Sequence, residues 1–385
     1  MPRLLILSSD LPEATRGGAL MLHRLLEPAP NHWDLGLAYP NKIPEGWNKA
    51  SFHLPEPYWF RRLRRTRYGH YFDSLDLNTG CSASWKKAQQ ITQTFRPDAI
   101  LTVVYGSLWK VAQRLHEKTR IPLVSIYMDC WPDLAEILNP HWTPNKNLET
   151  SYAQLAAQSQ ITFGICPEML DSLPTQSNGV VLRPPGTNRH PEDYSFEPKK
   201  KILQIAYTGL SDSIYADPCR KLIHTAGNSK NVHLHFFTSN LPEGTTLSSN
   251  VSSYPLMPAP ELEQYLKDMD ALIVTLPFSQ KLRRLVQTSF SSKYADYLTR
   301  GKPIFIWGPS DAAIVRHAER HACATACCDP EVKIFLDTIQ NQLSNSDALK
   351  TQLTKAKEQA ALFTKNAVQS SFWNTLDKNF LDTTN

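Results

Sequence analysis

The chain has 385 residues, enough for about two domains, and 41% of them are hydrophobic while 20% are charged, a globular composition that excludes a disordered or fibrous protein. Its 41 basic and 36 acidic residues leave a net charge of only +5, which argues against a general nucleic-acid binder. No apolar run reaches the ~18 residues of a membrane-spanning helix and no signal-peptide core is present, so we expect a cytoplasmic protein. Seven scattered cysteines favour reduced thiols over disulfides.

Short apolar runs alternate with amphipathic stretches in the first half of the chain. Strands are predicted at 3–8, 34–39, 99–105, 123–128, 161–166 and 180–182, with helices after Gly17 and Gly18 and over 84–95, 108–118 and 167–173. Because the strand runs are continuously apolar and are separated by helices, the pattern indicates a parallel sheet covered on both faces. The first half is therefore predicted to be α/β.

Residues 183–201 (RPPGTNRHPEDYSFEPKKK) hold four prolines and many charges without periodicity, which predicts an interdomain linker. Beyond it the alternation restarts, with strands at 202–207, 232–237, 271–276 and 303–307 and helices around 218–226, 260–267 and 291–300. The chain ends in an aromatic helical stripe at Phe372, Trp373, Leu376 and Phe380, which needs a surface to cover.

These patterns predict two α/β domains with Rossmann-like parallel sheets. We place the first at 1–185, the linker at 186–198, the second at 199–365, and a C-terminal helix that crosses back to the first domain at 366–385. Since each domain has a ligand crevice at the carboxyl ends of its strands, a ligand in a cleft between them is the default expectation.

The strongest motif is TSFSSKYADYLTRGKPIFIW at 288–307, which follows the strand and proline of DALIVTLPFS at 270–279. The order of strand, proline, polar loop, Ser-x-Lys-x-x-acid-Tyr-Leu and Gly-Lys-Pro resembles the donor-binding half of GT-B glycosyltransferases and is most similar to family 4. The segments SSDLPEATRGGALMLHRLL, RPDAILTVVYG, IPLVSIYMDCWPD, ITFGICPEMLDSL, RPPGTN and IAYTGLSD resemble successive segments of the same family. The resemblance therefore extends over most of the chain.

The resemblance implies the GT-B architecture, two Rossmann-like domains whose parallel sheets face an interdomain cleft. It implies an enzyme of the hexosyltransferase kind that moves a sugar from a nucleotide-diphosphate sugar of the UDP or GDP type to a glycan, lipid-linked or other hydroxyl acceptor. Transfer would need no metal and no further cofactor and would retain the anomeric configuration. The N-terminal domain would bind the acceptor and the second domain the donor. The alternative is a catalytically inactive GT-B-like protein that binds sugars or nucleotides.

The start of the helix predicted at 291–300 carries the main donor signal. Free backbone N–H groups and the positive end of the helix dipole at Ser291 and Ser292 favour a diphosphate, and Lys293 lies in the first turn; simple helix capping is the alternative. By resemblance Asp296 takes the place of the second Glu of a Glu-x7-Glu motif and would bind the nucleotide ribose. Thr288 stands where the first Glu is expected.

The implied donor site is larger than this helix. It comprises Gly17, Gly18, Gly209, Ser211, Arg283, Arg284, Thr288, Ser289, Ser291, Ser292 and Lys293. The glycines let the backbone approach phosphates or sugar closely, although a simple tight turn is the alternative at Gly17 and Gly18. The two arginines supply charge-assisted donors in place of cations that the family carries near Gly209, or form a solvated basic loop.

Asp129 is the second predicted catalytic residue beside Asp296. It follows the strand at 123–128 and by resemblance faces the cleft, where Met128 replaces the histidine of many relatives. Asp129 could orient a hydroxyl or serve as the base if the reaction inverts; a solvated carboxylate is the alternative.

Residues 58–72 (YWFRRLRRTRYGHYF) interleave aromatics with Arg61, Arg62, Arg64, Arg65 and Arg67 and contain no acid. This composition suits anionic lipid headgroups or an acidic acceptor, with an ordinary solvated face as the alternative and nucleic acid the weakest choice. We name it the membrane or acceptor patch; if it binds lipid, we expect a peripheral enzyme at the inner face of the membrane.

A second cluster contains His317, His321, Cys323, Cys327 and Cys328. Its spacing fits no familiar zinc pattern, so we interpret the cysteines as small apolar core residues and predict no metal site.

Overall fold

The computed structural model describes residues 1–13, 17–40, 42–54, 62–63, 65–66, 68–69, 71–72, 82–138, 146–174, 178–188 and 202–381. The chain forms two compact units, here called unit 1 (Met1–Arg183 with Val368–Asn385) and unit 2 (Pro184–Ala367). In the part of the chain so described, no helix is both long enough and apolar enough to cross a membrane.

Unit 1 is built on a parallel sheet of seven strands. They are β1 (Arg3–Leu7), β2 (Asp34–Tyr39), β3 (Ala50–His53), β4 (Ala99–Val103), β5 (Leu123–Tyr127), β6 (Ile161–Gly164) and β7 (Gly179–Val181), in the order β3-β2-β1-β4-β5-β6-β7. Helices α1 (Gly17–Leu26), α2 (Ser82–Phe95), α3 (Leu108–Thr119), α4 (Trp131–Leu138), α5 (Lys146–Gln158) and α6 (Pro167–Asp171) connect them. β4 and β5 are buried along their whole length, which explains their continuously apolar sequences.

Unit 2 repeats this plan with six parallel strands. They are β8 (Leu203–Thr208), β9 (Val232–Phe237), β10 (Val251–Tyr254), β11 (Ala271–Thr275), β12 (Ile304–Trp307) and β13 (Thr325–Cys327), in the order β10-β9-β8-β11-β12-β13. The helices are α7 (Ala216–Gly227), α8 (Ala259–Lys267), α9 (Arg283–Thr288), α10 (Ser292–Leu298), α11 (Ala313–His321), α12 (Val332–Ser344) and α13 (Ser346–Phe363), and short 3-10 turns lie at Ser213–Tyr215 and Gln280–Leu282. The predicted α/β class with two parallel sheets is confirmed.

The last helix, α14 (Lys365–Phe380), packs within unit 1. The indole N–H of Trp373 donates to the Leu25 carbonyl at 3.0 Å, and Asp377 accepts from the indole N–H of Trp33 at 2.7 Å. The ring centroid of Phe372 lies 5.3 Å from that of Phe163 on β6. The aromatic stripe therefore covers a surface of unit 1.

Among the elements that differ from the predictions, three have a clear physical reason. The edge strands β3 (ASFH) and β10 (VSSY) were not predicted, because an edge strand pairs on one side only and need not be apolar. Helix α10 ends at Leu298, earlier than predicted, with Gly301 beyond it at a φ of +71°. Of the predicted linker, residues 189–198 lie outside the described part of the chain.

In both sheets, the strand order reverses at the first strand of the unit, so that later strands are added on either side of it. β1 lies between β2 and β4, and β8 lies between β9 and β11. In open α/β sheets the crevice beyond the carboxyl ends of the strands at such a switch point is where ligands bind. The loops after β1 and β8 are therefore the first places to look for a functional site.

Candidate functional site

The loop after β8 contains a glycine in a left-handed backbone conformation. Gly209 has a φ of +95°, which only glycine adopts readily, and its N–H donates to the Phe237 carbonyl at the end of β9 at 2.8 Å. Two residues on, the hydroxyl of Ser211 is fully buried and donates to the Asn240 carbonyl at 2.6 Å. Ser211 thus ties the loop to the segment after β9, and its hydroxyl faces the protein.

Lys293, from the first turn of α10, lies over this loop. A Cβ on Gly209 would lie 2.8 Å from the lysine Cε, so the glycine provides the room for this side chain. The ammonium donates to the Leu210 carbonyl at 3.0 Å and to the Tyr207 hydroxyl. It also lies 4.1 Å from the ring centroid of Tyr207 and 4.6 Å from that of Tyr215. The sequence predicted that Lys293 binds the sugar donor, but it did not predict these contacts with two tyrosine rings.

Burial changes the acid–base behaviour of Lys293. It lowers the pKa of the lysine from 10.5 to about 8, against the opposing influence of Cys219 and Asp212. The amine is therefore largely protonated at neutral pH, although its charge is poorly solvated. A bound anion would add further negative charge beside the ammonium and would return the pKa of Lys293 towards its ordinary value.

The segment before α10 carries the other predicted donor residues. The hydroxyl oxygen of Ser289 is buried without a hydrogen-bond partner among the described residues. Ser291 precedes the first turn of α10, and its hydroxyl forms no capping bond there, while the next residue, Ser292, is exposed. Thr288 is buried and its hydroxyl donates to the Arg284 carbonyl at 2.9 Å.

The remaining predicted donor residues have partners of their own. The guanidinium of Arg283 forms an ion pair with Asp311, to which Gln287 also donates at 2.5 Å. Its charge is thus already balanced inside unit 2. The exposed Arg284 lies beside it on α9. Asp296 is half-buried on α10, and its carbonyl accepts from the Thr299 hydroxyl at 2.8 Å.

Unit 1 presents a carboxyl at its own switch point, and sequence reasoning missed it. Asp10 follows β1, and a Cβ on Gly18 would lie only 2.2 Å from its Oδ2 and 3.2 Å from the Met128 sulfur. Burial, and then the like charge of Asp129, raise the pKa of Asp10 from 3.8 to about 6. The structure therefore groups the predicted residues Gly18 and Asp129 around a carboxyl that was not predicted. A Ser-Ser-Asp run directly after the first strand was the available signal.

The neighbouring strand ends of unit 1 complete this edge. Ser9 accepts hydrogen bonds at 3.2 Å from the backbone N–H groups of both Ser107 and Leu108, which ties the β1 loop to the start of α3. Tyr105, after β4, packs against Trp131 with ring centroids 4.6 Å apart. The indole nitrogen of Trp131 is buried without a hydrogen-bond partner in the described part of the chain. Gly17 has a φ of +50°, and a Cβ there would meet nothing within 4 Å.

The histidine and cysteine cluster is organised around a tyrosine. The Tyr294 hydroxyl lies 3.0 Å from His317 Nδ1 and 3.1 Å from the Cys323 sulfur, and all three residues are buried. Cys327 lies in the hydrophobic core of unit 2. No group of three or more His, Cys, Asp or Glu side chains is arranged for a metal ion among the residues that the structure describes.

The membrane or acceptor patch is described only in part. Arg62 and Arg65 are exposed, while Arg61, Arg64 and Arg67 lie outside the described residues. Docking of this patch on a membrane or an acidic acceptor stays a prediction.

No protein-family model and no curated protein sequence matches the chain. Solved structures do match over almost its whole length. Sucrose-phosphate synthase from Thermosynechococcus elongatus is 12% identical with a TM-score of 0.71, and the alignment covers 99% of both chains. The chain has the GT-B fold. This confirms the predicted architecture, while the closer likeness to family 4 stays a prediction.

Two further GT-B structures are similar at the same level. Anabaena HepE, solved in complex with UDP-glucose, is 14% identical with a TM-score of 0.62, and the alignment covers 98% of this chain and 99% of that one. The lipopolysaccharide outer core galactosyltransferase WaaB is 13% identical with a TM-score of 0.62 and the same coverage. At such low identity the likeness establishes the fold, and the chemistry has to be argued from the residues.

Proposed function

We propose that this protein is a glycosyltransferase that moves a sugar from a UDP- or GDP-type nucleotide-diphosphate sugar to a hydroxyl acceptor such as a glycan or a lipid-linked sugar. The structural neighbours support the class of reaction, since they include a galactosyltransferase and a protein solved with UDP-glucose. The observation that carries the proposal is Lys293 above Gly209 at the switch point of unit 2.

The arrangement at Lys293 suits a diphosphate. A half-buried ammonium with a lowered pKa lies beside a backbone turn that has no side chain at Gly209, so the phosphates can approach both the charge and the main chain. Hydrogen bonds to charged groups contribute about 1.5 to 3 kcal/mol, enough to distinguish a diphosphate from an uncharged ligand. The buried Ser289 hydroxyl offers a further donor close to α10 in the sequence.

The same cation favours the chemical step. As the bond between sugar and diphosphate breaks, negative charge grows on the leaving group, and a preorganised cation stabilises it without reorganisation. We therefore propose that Lys293 takes the part that a metal ion plays in other transferases. Asp296, three residues further along α10, is proposed to bind the ribose hydroxyls, because a carboxylate can accept two hydrogen bonds.

The proposal is tested by a thermal-shift screen with UDP, GDP, ADP, CMP and their sugar conjugates, in the presence of EDTA. Binding to the folded state raises the melting temperature, so we expect one diphosphate and its sugar conjugate to produce a clear shift. The variant Lys293→Met should bind this nucleotide at least tenfold more weakly. Lys221→Met is the matched control, because Lys221 is an exposed lysine of unit 2 that is paired with Asp217.

Four outcomes are informative. Loss of the shift in Lys293→Met alone supports the site. Equal binding by both lysine variants would move the diphosphate elsewhere, and the absence of a shift with every nucleotide would contradict the proposed function. Nucleotide binding without turnover of any acceptor would favour the inactive alternative, which the departures from the family pattern at Thr288, Leu210 and Met128 motivate.

A further inference from the structure

The loop after β8 contains a second residue with a left-handed backbone. Ser213 has a φ of +52°, and it begins the 3-10 turn Ser213–Tyr215. A serine adopts this conformation only at a cost in free energy, so the surrounding structure has to hold it there. The N–H of Tyr215 donates to the Asp212 carbonyl at 3.0 Å and closes the turn. The strained backbone of Ser213 therefore fixes the place from which the Tyr215 side chain extends.

The ring of Tyr215 lies against the ammonium of Lys293. Its centroid is 4.6 Å from the lysine Nζ, and the centroid of the Tyr207 ring is 4.1 Å from the same atom. Both distances are within the ~6 Å over which the negative face of an aromatic ring attracts a cation. Tyr207 belongs to the core of unit 2, whereas Tyr215 is partly exposed and packs against that core. One ring is thus part of the sheet, and the other is carried by the strained turn.

Hydrogen bonds from Lys293 complete the arrangement. Nζ donates to the Leu210 carbonyl at 3.0 Å and to the Tyr207 hydroxyl. Because an ammonium has three N–H bonds, one remains for a ligand. A long lysine side chain loses rotamer freedom when it is fixed, and here this loss occurs on folding and not on binding. The charge is therefore in place before a ligand arrives, which favours tight binding.

The other partners of the ammonium do not make the ring redundant. Asp212 and Cys219 exert only a weak electrostatic influence on Lys293, since burial outweighs them and lowers its pKa to about 8. No carboxylate forms an ion pair with Lys293 within the described ranges of the chain. Apart from two hydrogen-bond acceptors, the groups that contact the charge there are the rings of Tyr207 and Tyr215.

We propose that Tyr215 is a positioning residue of the nucleotide site, whose ring holds the Lys293 ammonium in place for the phosphates of the sugar donor. This inference rests on the proposed function and deepens it. An aromatic ring attracts the ammonium without neutralising it, so the whole positive charge stays available to an anion. A carboxylate in the same place would hold the lysine equally well but would repel the phosphates.

The first experiment compares Tyr215→Leu with its matched control Tyr215→Phe by calorimetric titration. The titrant is the nucleoside diphosphate that gives the largest melting shift. Leucine keeps an apolar cover but has no ring, whereas phenylalanine keeps the ring and lacks only the hydroxyl. We expect Tyr215→Leu to bind about fivefold more weakly than wild type and Tyr215→Phe to bind within about twofold of it. Equal losses in the two variants would assign the effect to the hydroxyl, and undiminished binding by Tyr215→Leu would leave the ring without a role; either result overturns the proposal.

A double-mutant cycle separates positioning of the lysine from general support of the fold. If Tyr215 acts through Lys293, Tyr215→Leu should weaken binding no further once Lys293→Met is present. Losses that simply add would overturn the proposal, because Tyr215 would then act independently of the lysine. The melting temperatures of the variants without ligand show whether each one folds.

A further readout needs no nucleotide. In protein labelled with 13Cε-lysine, the NMR resonance that Lys293→Met removes reports the titration of Lys293. Because the ring favours the charged form, Tyr215→Leu should move the pKa of Lys293 below about 8, and Tyr215→Phe should leave it in place. A rise towards 10.5 would show that Tyr215 only shields the lysine from water, which would overturn the proposal.

The two readouts also distinguish this inference from the proposed function. If the wild type bound no nucleotide, the proposed function would be contradicted, and the NMR titration would still show whether the ring holds the ammonium. If the wild type bound a nucleotide but Tyr215→Leu changed neither the affinity nor the pKa of Lys293, the role of Tyr215 alone would be contradicted.

Discussion

The two units place opposite charges at the same topological position. Unit 1 has Asp10 after its first strand, and unit 2 has Lys293 over the loop that follows its first strand. Burial raises the pKa of the acid to about 6 and lowers that of the amine to about 8, so both groups are shifted towards neutrality. Unit 1 is thus suited to accept a proton and unit 2 to bind an anion. The same fold, repeated, thus carries side chains of opposite charge at its two switch points.

The way each charge reaches its position also differs. Asp10 lies in the loop that directly follows β1, whereas Lys293 lies on α10, which is distant in sequence from β8. In each case a glycine, Gly18 or Gly209, leaves the room that the charged side chain occupies. The acid therefore depends on local structure, while the lysine depends on the packing of the whole unit.

The largest expected effect concerns how each unit is completed. Unit 1 needs α14 from the end of the chain, so Trp373→Ala should destabilise it by about 3 to 5 kcal/mol, the usual cost of truncating a buried tryptophan. Hydrogen exchange should show faster exchange in unit 1 while unit 2 keeps its protection.

Trp307→Ala is the matched variant, because Trp307 is buried in the core of unit 2. It should produce the opposite pattern. If Trp373→Ala accelerated hydrogen exchange equally in both units, the stabilities of the two units would not be separable.

The second prediction tests the mirrored pKa shifts by replacing each charged group with a neutral one. Lys293 has a pKa of about 8 when folded against 10.5 ordinarily, so the cost of its buried charge is complete below pH 8 and fades towards pH 10.5. Lys293→Met should therefore relieve a cost of about 3 kcal/mol in unit 2 at neutral pH and less at high pH, offset in part by the lost hydrogen bonds to Leu210 and Tyr207. For Asp10 the cost is complete above pH 6 and fades towards pH 3.8, so the similar gain from Asp10→Asn should disappear in acid.

Denaturant unfolding of wild type and both variants at acidic, neutral and alkaline pH measures these differences. Because each variant is compared with wild type at the same pH, other titrating groups cancel. Gains that do not vary with pH would mean that packing, and not charge, separates the variants from wild type.

Much of the fold was predictable from the sequence because buried parallel strands are continuously apolar. β2 and β9 were predicted to the residue, and α14 followed from its aromatic stripe. The edge strands β3 and β10 carry no such pattern and were missed.

The candidate site was predictable only where one segment carried its own signal. The motif around Lys293 identified the lysine, but its contacts with Tyr207 and Tyr215 depend on how α10 packs against β8, which no local pattern encodes. Asp10 was missed because its raised pKa arises from burial and from the charge of Asp129, and only the folded chain supplies these. Ser211 was predicted to bind the donor, and nothing in the sequence showed that its hydroxyl faces the segment after β9.

The smallest predicted effect distinguishes two consequences of replacing a glycine by alanine. One is backbone strain at the glycine itself, and the other is loss of the space that a neighbouring charged side chain occupies. Gly17 has a positive φ and open space around it, so Gly17→Ala should cost about 1 kcal/mol of stability, with only a minor loss of turnover. Gly18 has no positive φ, but its new Cβ would lie 2.2 Å from the Asp10 carboxylate and force it to move. Gly18→Ala should therefore leave stability nearly unchanged and lower kcat/KM at least tenfold. Melting temperatures and steady-state kinetics of the two neighbouring variants decide the matter: if the larger loss of activity fell on Gly17→Ala, the loop itself and not the carboxyl behind it would be what the reaction needs.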